Sequence, residues 1–157
     1  MITKFEEKFA AFLNIAKGLN RQSIIPILYG SVGLYRVTEV YDEVGDLDIV
    51  IPDEWLGDKF AEFLNIMKDL GYQQYKDYPH TFIKDDIMVD FEPESGFAAC
   101  ACADFGVLPV NKLDGAEFKE LNRNHYLIIY KKAMQSCEKK FESMKRKVQL
   151  LEQKCAN

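Results

Sequence analysis

The sequence has no apolar run that approaches the length of a membrane-spanning helix, and its first residues lack the apolar core of a signal peptide. We therefore expect a cytoplasmic protein that does not bind membranes. The chain also lacks an excess of basic residues, because 20 Lys and Arg stand against 25 Asp and Glu, a net charge of −5. Non-specific binding of duplex nucleic acid needs several cations that displace counterions, so bulk nucleic acid is a poor partner for this chain.

Cysteine and histidine, the usual zinc ligands, are few in this chain and lack the spacing of a zinc site. A structural zinc site needs cysteines about two to four residues apart, with a second pair or histidines downstream. The chain has two histidines and four cysteines without that spacing: His80, His125, Cys100, Cys102, Cys137 and Cys155. We therefore expect free thiols packed as small buried side chains. His125, among aromatic neighbours in a predicted helix, is expected to be structural.

A linker rich in Pro, Gly or Ser is missing, so we expect a single domain over residues 1–157. The apolar spacing predicts a helix over 4–17, a strand over 24–29, a short helix over 32–37, a strand over 46–51 and a helix over 55–70. It then predicts strands over 72–75, 81–84, 87–91 and 107–110, followed by helices over 115–135 and 138–154. This order indicates an α+β fold, a mixed β-sheet with helical cover and a helical C-terminus.

Positive charge is concentrated at the end of the chain. From residue 131 onward there are eight Lys and Arg against three Glu, a net charge of +5, so residues 1–130 carry −10. A lysine-rich helix is typical of a solvated face. It is also a surface that docks on an acidic partner or on RNA.

The residues that carry chemistry lie within 29–51. A buried strand ends in Gly30 and Ser31, where a short helix is predicted to begin. Glycine lets a phosphate approach the backbone, the helix N-terminus offers N–H groups, and serine adds a hydroxyl donor. Asp46 and Asp48 open the next strand, and their i, i+2 spacing places both carboxylates on one face. Two such anions repel each other unless a cation joins them, and hard oxygen ligands suit Mg²⁺.

Asp90 lies between apolar neighbours on a later predicted strand. If that strand lies beside 46–51, Asp90 completes a cluster of carboxylates for two divalent ions. Such ions stabilise the attacking and leaving oxygens of an in-line phosphoryl displacement. The alternative is that Asp46 and Asp48 form a solvated strand end and that Asp90 faces water.

These segments together resemble the signature of the nucleotidyltransferase superfamily, whose catalytic fold is like that of DNA polymerase beta. The matching stretches are Leu28-Tyr29-Gly30-Ser31, Asp46-Leu47-Asp48-Ile49-Val50 and Val89-Asp90-Phe91. The resemblance covers roughly residues 24–91 and is strongest to small bacterial members. It implies a nucleotidyltransferase-like core over 20–92, followed by C-terminal helices over 113–157.

The resemblance also implies roles for individual residues. Gly30 and Ser31 would hold the nucleoside triphosphate, Asp46 and Asp48 would bind both metal ions, and Asp90 would bind one and help to activate the acceptor hydroxyl. Many minimal members have Arg-Gly after the Gly-Ser, whereas the nearest cation here is Arg36, which we assign to the nucleotide. On charge alone, Lys84 and Lys112 are possible substitutes for it.

The implied activity is Mg²⁺-dependent transfer of a nucleoside monophosphate from a nucleoside triphosphate, such as ATP, to an acceptor hydroxyl. The acidic charge favours a small-molecule or protein acceptor. One alternative is a catalytically degenerate protein of the same fold that acts as a binding or regulatory module, and another is an adaptor that works through the lysine-rich helix. His80 is either a substrate contact or a surface residue, and Trp55 and Tyr35 are expected in the core or the site wall.

Overall fold

A computed structural model describes residues 3–39, 44–136, 138 and 141–156. Their helices are α1 (Lys4–Asn20), α2 (Gly30–Thr38), α3 (Phe60–Asp69), α4 (Glu94–Ala101), α5 (Arg123–Ser136) and α6 (Phe141–Ala156). Their strands are β1 (Ile27–Tyr29), β2 (Leu47–Ile51), β3 (Gln73–Tyr75), β4 (Tyr78–Lys84), β5 (Ile87–Pro93), β6 (Asn111–Leu113) and β7 (Ala116–Glu120). Short 3₁₀ helices cover Asp53–Leu56 and Phe105–Val107. No helix within these described ranges is long and apolar enough to cross a bilayer.

The strands of the described residues form one mixed sheet in the order β3-β4-β5-β2-β1-β7-β6. At its centre β1 is antiparallel to β2, whereas β2 is parallel to β5 and β1 is parallel to β7. The outer pairs, β3 with β4, β4 with β5 and β6 with β7, are antiparallel. The predicted α+β fold, with a mixed sheet, helical cover and a helical C-terminus, is confirmed.

The sheet separates two apolar cores. One lies between the sheet and helices α1 and α3 and contains Phe12, Phe63 and Phe118. The other lies against α4, α5 and α6. Because side chains alternate along a strand, the even positions of β2 face this second core, and Val50 is buried in it. Asp48 therefore points to the side of the sheet that α5 and α6 cover.

Two local sequence signals agree with the structure. The Thr3 hydroxyl accepts a hydrogen bond from the Glu6 backbone N–H (3.1 Å), and the Glu6 carboxylate accepts one from the Thr3 N–H (2.8 Å). This reciprocal cap starts α1 where the sequence predicts it. Asp85 and Asp86, with φ values of +49° and +65°, form the tight turn between β4 and β5.

Two predictions near the C-terminal half are wrong. The helix predicted over 115–135 is two elements, β7 and α5. Ala116 and Phe118 are buried and alternate with more exposed residues, and their pairing with β1 selects the strand over the helix. The edge strand predicted over 107–110 is also displaced, because a 3₁₀ helix ends at Val107 and β6 begins at Asn111.

The cysteines are free thiols where the structure describes them, but they are not all buried. Cys100 is half-buried and Cys102 is exposed. Cys102 follows the end of α4 in a left-handed conformation at the surface, and the Lys132 ammonium lies 3.2 Å from its sulfur. The expectation of buried thiols is wrong for Cys102, while Cys137 and the side chain of Cys155 lie outside the described residues.

Candidate active site

A row of polar side chains crosses four neighbouring strands at one end of the sheet. Tyr29 of β1 is paired with Asp48 of β2, and Asp48 is paired with Asp90 of β5. Asp90 is in turn paired with Thr81 of β4. Residues paired directly across strands project from the same face, so these side chains stand side by side. The predicted placement of Asp90 on the strand beside Asp48 is confirmed.

Tyr29, Asp48 and Asp90 of this row form the floor of a pocket of about 570 Å³, which residues of α6 also line. One wall is the turn from β1 into α2, with Gly30 and Ser31. The acidic groups of the pocket are Asp46, Asp48, Asp90 and Glu92. The opposite wall comes from α5 and α6, through Tyr130, Ser143, Met144 and Lys147. The structure therefore brings together the three aspartates and the Gly-Ser turn that the sequence singles out.

Gly30 is required by its contact with Asp48. Its φ is +72°, and a β-carbon built on it would lie 2.1 Å from Asp48 Oδ2. Only glycine adopts this conformation freely and leaves room for the carboxylate. Because α2 begins at Gly30, its first backbone N–H groups have no partner within the helix. The positive end of the helix dipole is thus next to Asp48.

Ser31 holds the segment that leads into β2. Its hydroxyl oxygen accepts a hydrogen bond from the Gly45 N–H at 2.8 Å. From the other side, the Lys8 ammonium donates to the carbonyl oxygens of Val44 and Gly45. These contacts tie the residues just before Asp46 to α1 and α2.

The carboxylates of the pocket are crowded. Burial, and then the charges of Asp90 and Asp46, raise the pKa of Asp48 from 3.8 to about 7, against a smaller opposing effect of Lys147. Burial and Asp90 also raise the pKa of Glu92, while His80 acts in the opposite direction. The site is therefore electrostatically unfavourable without a bound cation.

The fit to Mg²⁺ depends on where its ligands come from. Within the described part of the chain, no three Asp, Glu, His or Cys side chains are grouped closely enough to hold a metal ion by themselves. Mg²⁺ is commonly bound by one or two carboxylates, with water and substrate phosphates completing its coordination. The hard oxygen atoms of Asp48 and Asp90 on adjacent strands fit an ion that is shared with a phosphate in this way.

The cations that the sequence suggested for the nucleotide lie elsewhere. The Arg36 guanidinium donates two hydrogen bonds to Glu120, at 2.7 and 3.0 Å, and stacks over the Phe9 ring. The Lys84 ammonium donates to the Leu70 carbonyl at 3.0 Å. Lys112 is exposed, and its ammonium lies 3.3 Å from the Glu117 carboxylate. The structure brings none of Arg36, Lys84 and Lys112 to the pocket.

Among the described residues, sequence reasoning missed the two other charged ones that line the pocket, Glu92 and Lys147. Glu92 follows Asp90 by two positions on β5, so the i, i+2 rule that relates Asp46 and Asp48 was sufficient to find it. Lys147 lies on the lysine-rich α6, and its ammonium is 5.2 Å from the centre of the Tyr130 ring. Nothing local distinguishes it from the other lysines of that helix.

The lesser candidates take mostly structural positions. Trp55 is buried in the first core, and the Tyr35 ring contacts Phe5. His125 helps to cap the N-terminus of α5, which begins at Arg123. Its Nδ1 accepts a hydrogen bond from the Asn122 N–H at 3.2 Å, and its own N–H donates to Asn122 Oδ1 at 2.9 Å. It is structural, as predicted.

His80 is the exception. It lines a groove of about 300 Å³ together with Tyr78, Thr81, Asp90 and Glu92. The groove and the pocket share Asp90 and Glu92, so they are two sides of one site.

Comparisons with known proteins agree with the fold. No family model matches the chain. The uncharacterised protein YnaI of Bacillus subtilis (strain 168) is 33% identical over 124 residues, which are 78% of this chain and 80% of YnaI. The crystal structure of ANT(2″)-Ia in complex with adenylyl-2″-tobramycin aligns with a TM-score of 0.58 at 14% identity, covering 92% of this chain and 87% of that one. A nucleotidyltransferase-like protein from Paracoccidioides brasiliensis aligns with a TM-score of 0.62 at 12% identity, covering 92% and 75%.

The structural likeness at these identities establishes a common fold, and the likeness to YnaI establishes a common family. The chain thus belongs to the YnaI family and has the fold of the nucleotidyltransferase superfamily.

Proposed function

We propose that the protein is a Mg²⁺-dependent nucleotidyltransferase that moves a nucleoside monophosphate from a nucleoside triphosphate to a hydroxyl of a small molecule or protein. The observation that carries the proposal is the pairing of Asp48 with Asp90 in a pocket whose wall is the Gly30-Ser31 turn. One end of this pocket suits phosphate and the floor suits a divalent cation. The reaction uses a nucleoside triphosphate, which fits the cytoplasmic location expected from the sequence.

The triphosphate binds at the N-terminus of α2. The backbone N–H groups there and the hydroxyl of Ser31 donate to phosphate oxygens. Asp48 and Asp90, with Asp46 beside them in the pocket, would hold Mg²⁺ together with the phosphates of the nucleotide. The ion would neutralise phosphate charge and stabilise the oxygens that attack and leave.

Asp90 is the residue that faces the acceptor. The Thr81 hydroxyl donates to its Oδ1 and thereby fixes the orientation of the carboxylate. Asp90 accepts the hydrogen bond of the acceptor hydroxyl and helps to remove its proton. The acceptor oxygen then forms a bond to the α-phosphorus, the bond from that phosphorus to the bridging oxygen breaks, and pyrophosphate leaves.

The acceptor enters through the groove on the β4 side of Asp90. An in-line displacement places the acceptor opposite the leaving pyrophosphate, and the groove lies across Asp90 from the Gly30 turn. None of the residues described as lining it is Lys or Arg, so it favours a neutral or cationic acceptor. The complex of ANT(2″)-Ia with adenylyl-2″-tobramycin, a nucleotidylated small molecule, supports a small acceptor.

The proposal is tested first by nucleotide binding. Calorimetry with each of the common nucleoside triphosphates and Mg²⁺ should detect binding to the wild type. Ser31→Ala should weaken it by roughly 10- to 100-fold, because one hydrogen bond to a charged group is lost while the backbone donors remain. If the wild type binds none of these nucleotides, the degenerate binding module becomes the better account.

Transfer is tested separately with a triphosphate labelled at the α-phosphorus and a panel of hydroxyl-bearing small molecules and proteins. The wild type should move the label to an acceptor and release unlabelled pyrophosphate. Asp90→Asn should abolish transfer but keep nucleotide binding. Equal transfer by wild type and Asp90→Asn would refute the role given to Asp90.

A further inference from the structure

We propose that Lys147 of α6 binds the phosphate chain of the donor nucleotide, so that the lysine-rich helix contributes a substrate-binding residue. This inference rests on the proposed function. It gives a function to a helix whose positive charge is otherwise interpreted as a solvated face or a docking surface.

The position of Lys147 is set by buried neighbours. Val148 and Leu151, on the same helix, are buried in the second core. They hold α6 against the sheet, and Ser143 and Lys147, one turn apart, both reach the pocket. The contact with the Tyr130 ring places the Lys147 side chain along the wall made by α5.

The charge of the pocket gives this ammonium a function. Four carboxylates line the pocket, and Lys147 supplies the positive charge among the lining residues that the structure describes. A polyphosphate that enters beside these carboxylates is repelled unless cations oppose its charge. Lysine suits the task because its ammonium is a point charge with three rotatable donors on a flexible stem.

The same helix provides a matched control. Lys145 is exposed, and its ammonium lies 6.0 Å from the centre of the Phe141 ring, outside the pocket. Lys147 is only partly exposed and lines the pocket. Lys145→Met and Lys147→Met remove the same charge from one helix, and only the second removes it from the site.

The experiment is calorimetric titration of wild type, Lys147→Met, Lys147→Arg and Lys145→Met with ATP·Mg²⁺ and with inorganic tripolyphosphate·Mg²⁺. Lys147→Met should weaken both ligands by roughly 10- to 100-fold, because a hydrogen-bonded charge is lost. Lys147→Arg should recover part of the loss. Lys145→Met should stay within about twofold of wild type, since exposed substitutions away from a site change little. Melting temperatures establish that all four proteins are folded.

The outcomes separate this inference from the proposed function. If ATP binds wild type and Lys147→Met equally, the inference is wrong and the nucleotidyltransferase proposal stands. If Lys147→Met weakens ATP but not tripolyphosphate, the residue contacts another part of the nucleotide and the inference is also wrong. If neither ligand binds the wild type, both proposals are overturned.

Discussion

Gly30 and Asp48 are packed so closely that a β-carbon on residue 30 would lie 2.1 Å from Asp48 Oδ2. The contact places the N-terminus of α2 against a buried carboxylate on the neighbouring strand. A negative charge at this end of a helix is favourable, which offsets part of the cost of burying Asp48. The phosphate-binding wall and the metal-binding floor of the proposed site are therefore parts of one packed unit.

Gly30→Ala should damage both the fold and nucleotide binding. The left-handed conformation costs a residue with a side chain roughly 1–2 kcal/mol, and the new methyl group must also displace Asp48. Chemical denaturation and calorimetry with ATP·Mg²⁺ measure the two effects. The control is Gly96→Ala in α4, where a β-carbon meets nothing within 4 Å. It should leave binding unchanged and add up to about 1 kcal/mol of stability. Unaltered nucleotide affinity in Gly30→Ala would place the phosphates elsewhere.

Asp48→Asn should leave the metal-free protein at least as stable as wild type above pH 7. The folded pKa of Asp48 is about 7 and its ordinary value is 3.8, so the folded chain binds this proton more tightly than the unfolded chain. The stability gained is complete below about pH 4 and is lost as the pH rises towards 7. Asparagine carries no charge at any pH, so the variant does not lose this stability as the pH rises, and it is not repelled by Asp90.

The measurement is the melting temperature of both proteins in chelator from pH 4 to 8. The difference between them should shift in favour of Asp48→Asn as the pH rises. Added Mg²⁺ and ATP should stabilise only the wild type. A large loss of metal-free stability at pH 8 would instead identify Asp48 as a structural hydrogen-bonding residue.

Thr81→Val should impair catalysis more than nucleotide binding. The variant keeps the shape of the buried side chain but removes the hydroxyl that donates to Asp90 Oδ1. Loss of such a bond costs about 1–3 kcal/mol of stability and frees the carboxylate to rotate. We expect a fall in kcat with a smaller change in nucleotide Kd, measured by transfer assay and calorimetry. Thr81→Ser retains the hydroxyl and should behave like wild type, and an equal fall in both variants would contradict this explanation.

Arg36→Met should reduce stability and leave nucleotide affinity unchanged. Arg36 and Glu120 form a partly buried pair with two hydrogen bonds, and truncating one partner leaves the other charge uncompensated. We expect a loss of about 1–2 kcal/mol in chemical denaturation. A double-mutant cycle with Glu120→Gln isolates the pair. A tenfold loss of ATP affinity at unchanged fold would restore Arg36 to the nucleotide site that the sequence suggested.

The site was predictable to the extent that its signals are local. The step from strand to helix at Gly30 and the place of Asp48 on a strand follow from signals within a few residues. Asp46 was predicted on that strand too, but β2 begins at Leu47, so Asp46 reaches the same pocket from the segment before the strand. Arg36 was not predictable in this way, because its partner Glu120 is 84 positions away. Its chain distance from Ser31 is short, but the ion pair with β7 and the stacking on α1 determine where the guanidinium lies.

The sequence by itself determined the fold class, the start of α1 and the strand positions of Asp48 and Asp90, because caps, turns and apolar periodicity act over one or two turns of chain. Tertiary structure alone decided that residues 116–120 are a strand, since pairing with β1 and β6 separates that state from the helix favoured by the spacing of Phe118 and Leu121. Tertiary structure also decided that Lys147, among the several lysines of α6, is the one that lines the pocket. That choice depends on which face of α6 the core buries, a long-range packing effect that charge and spacing do not encode.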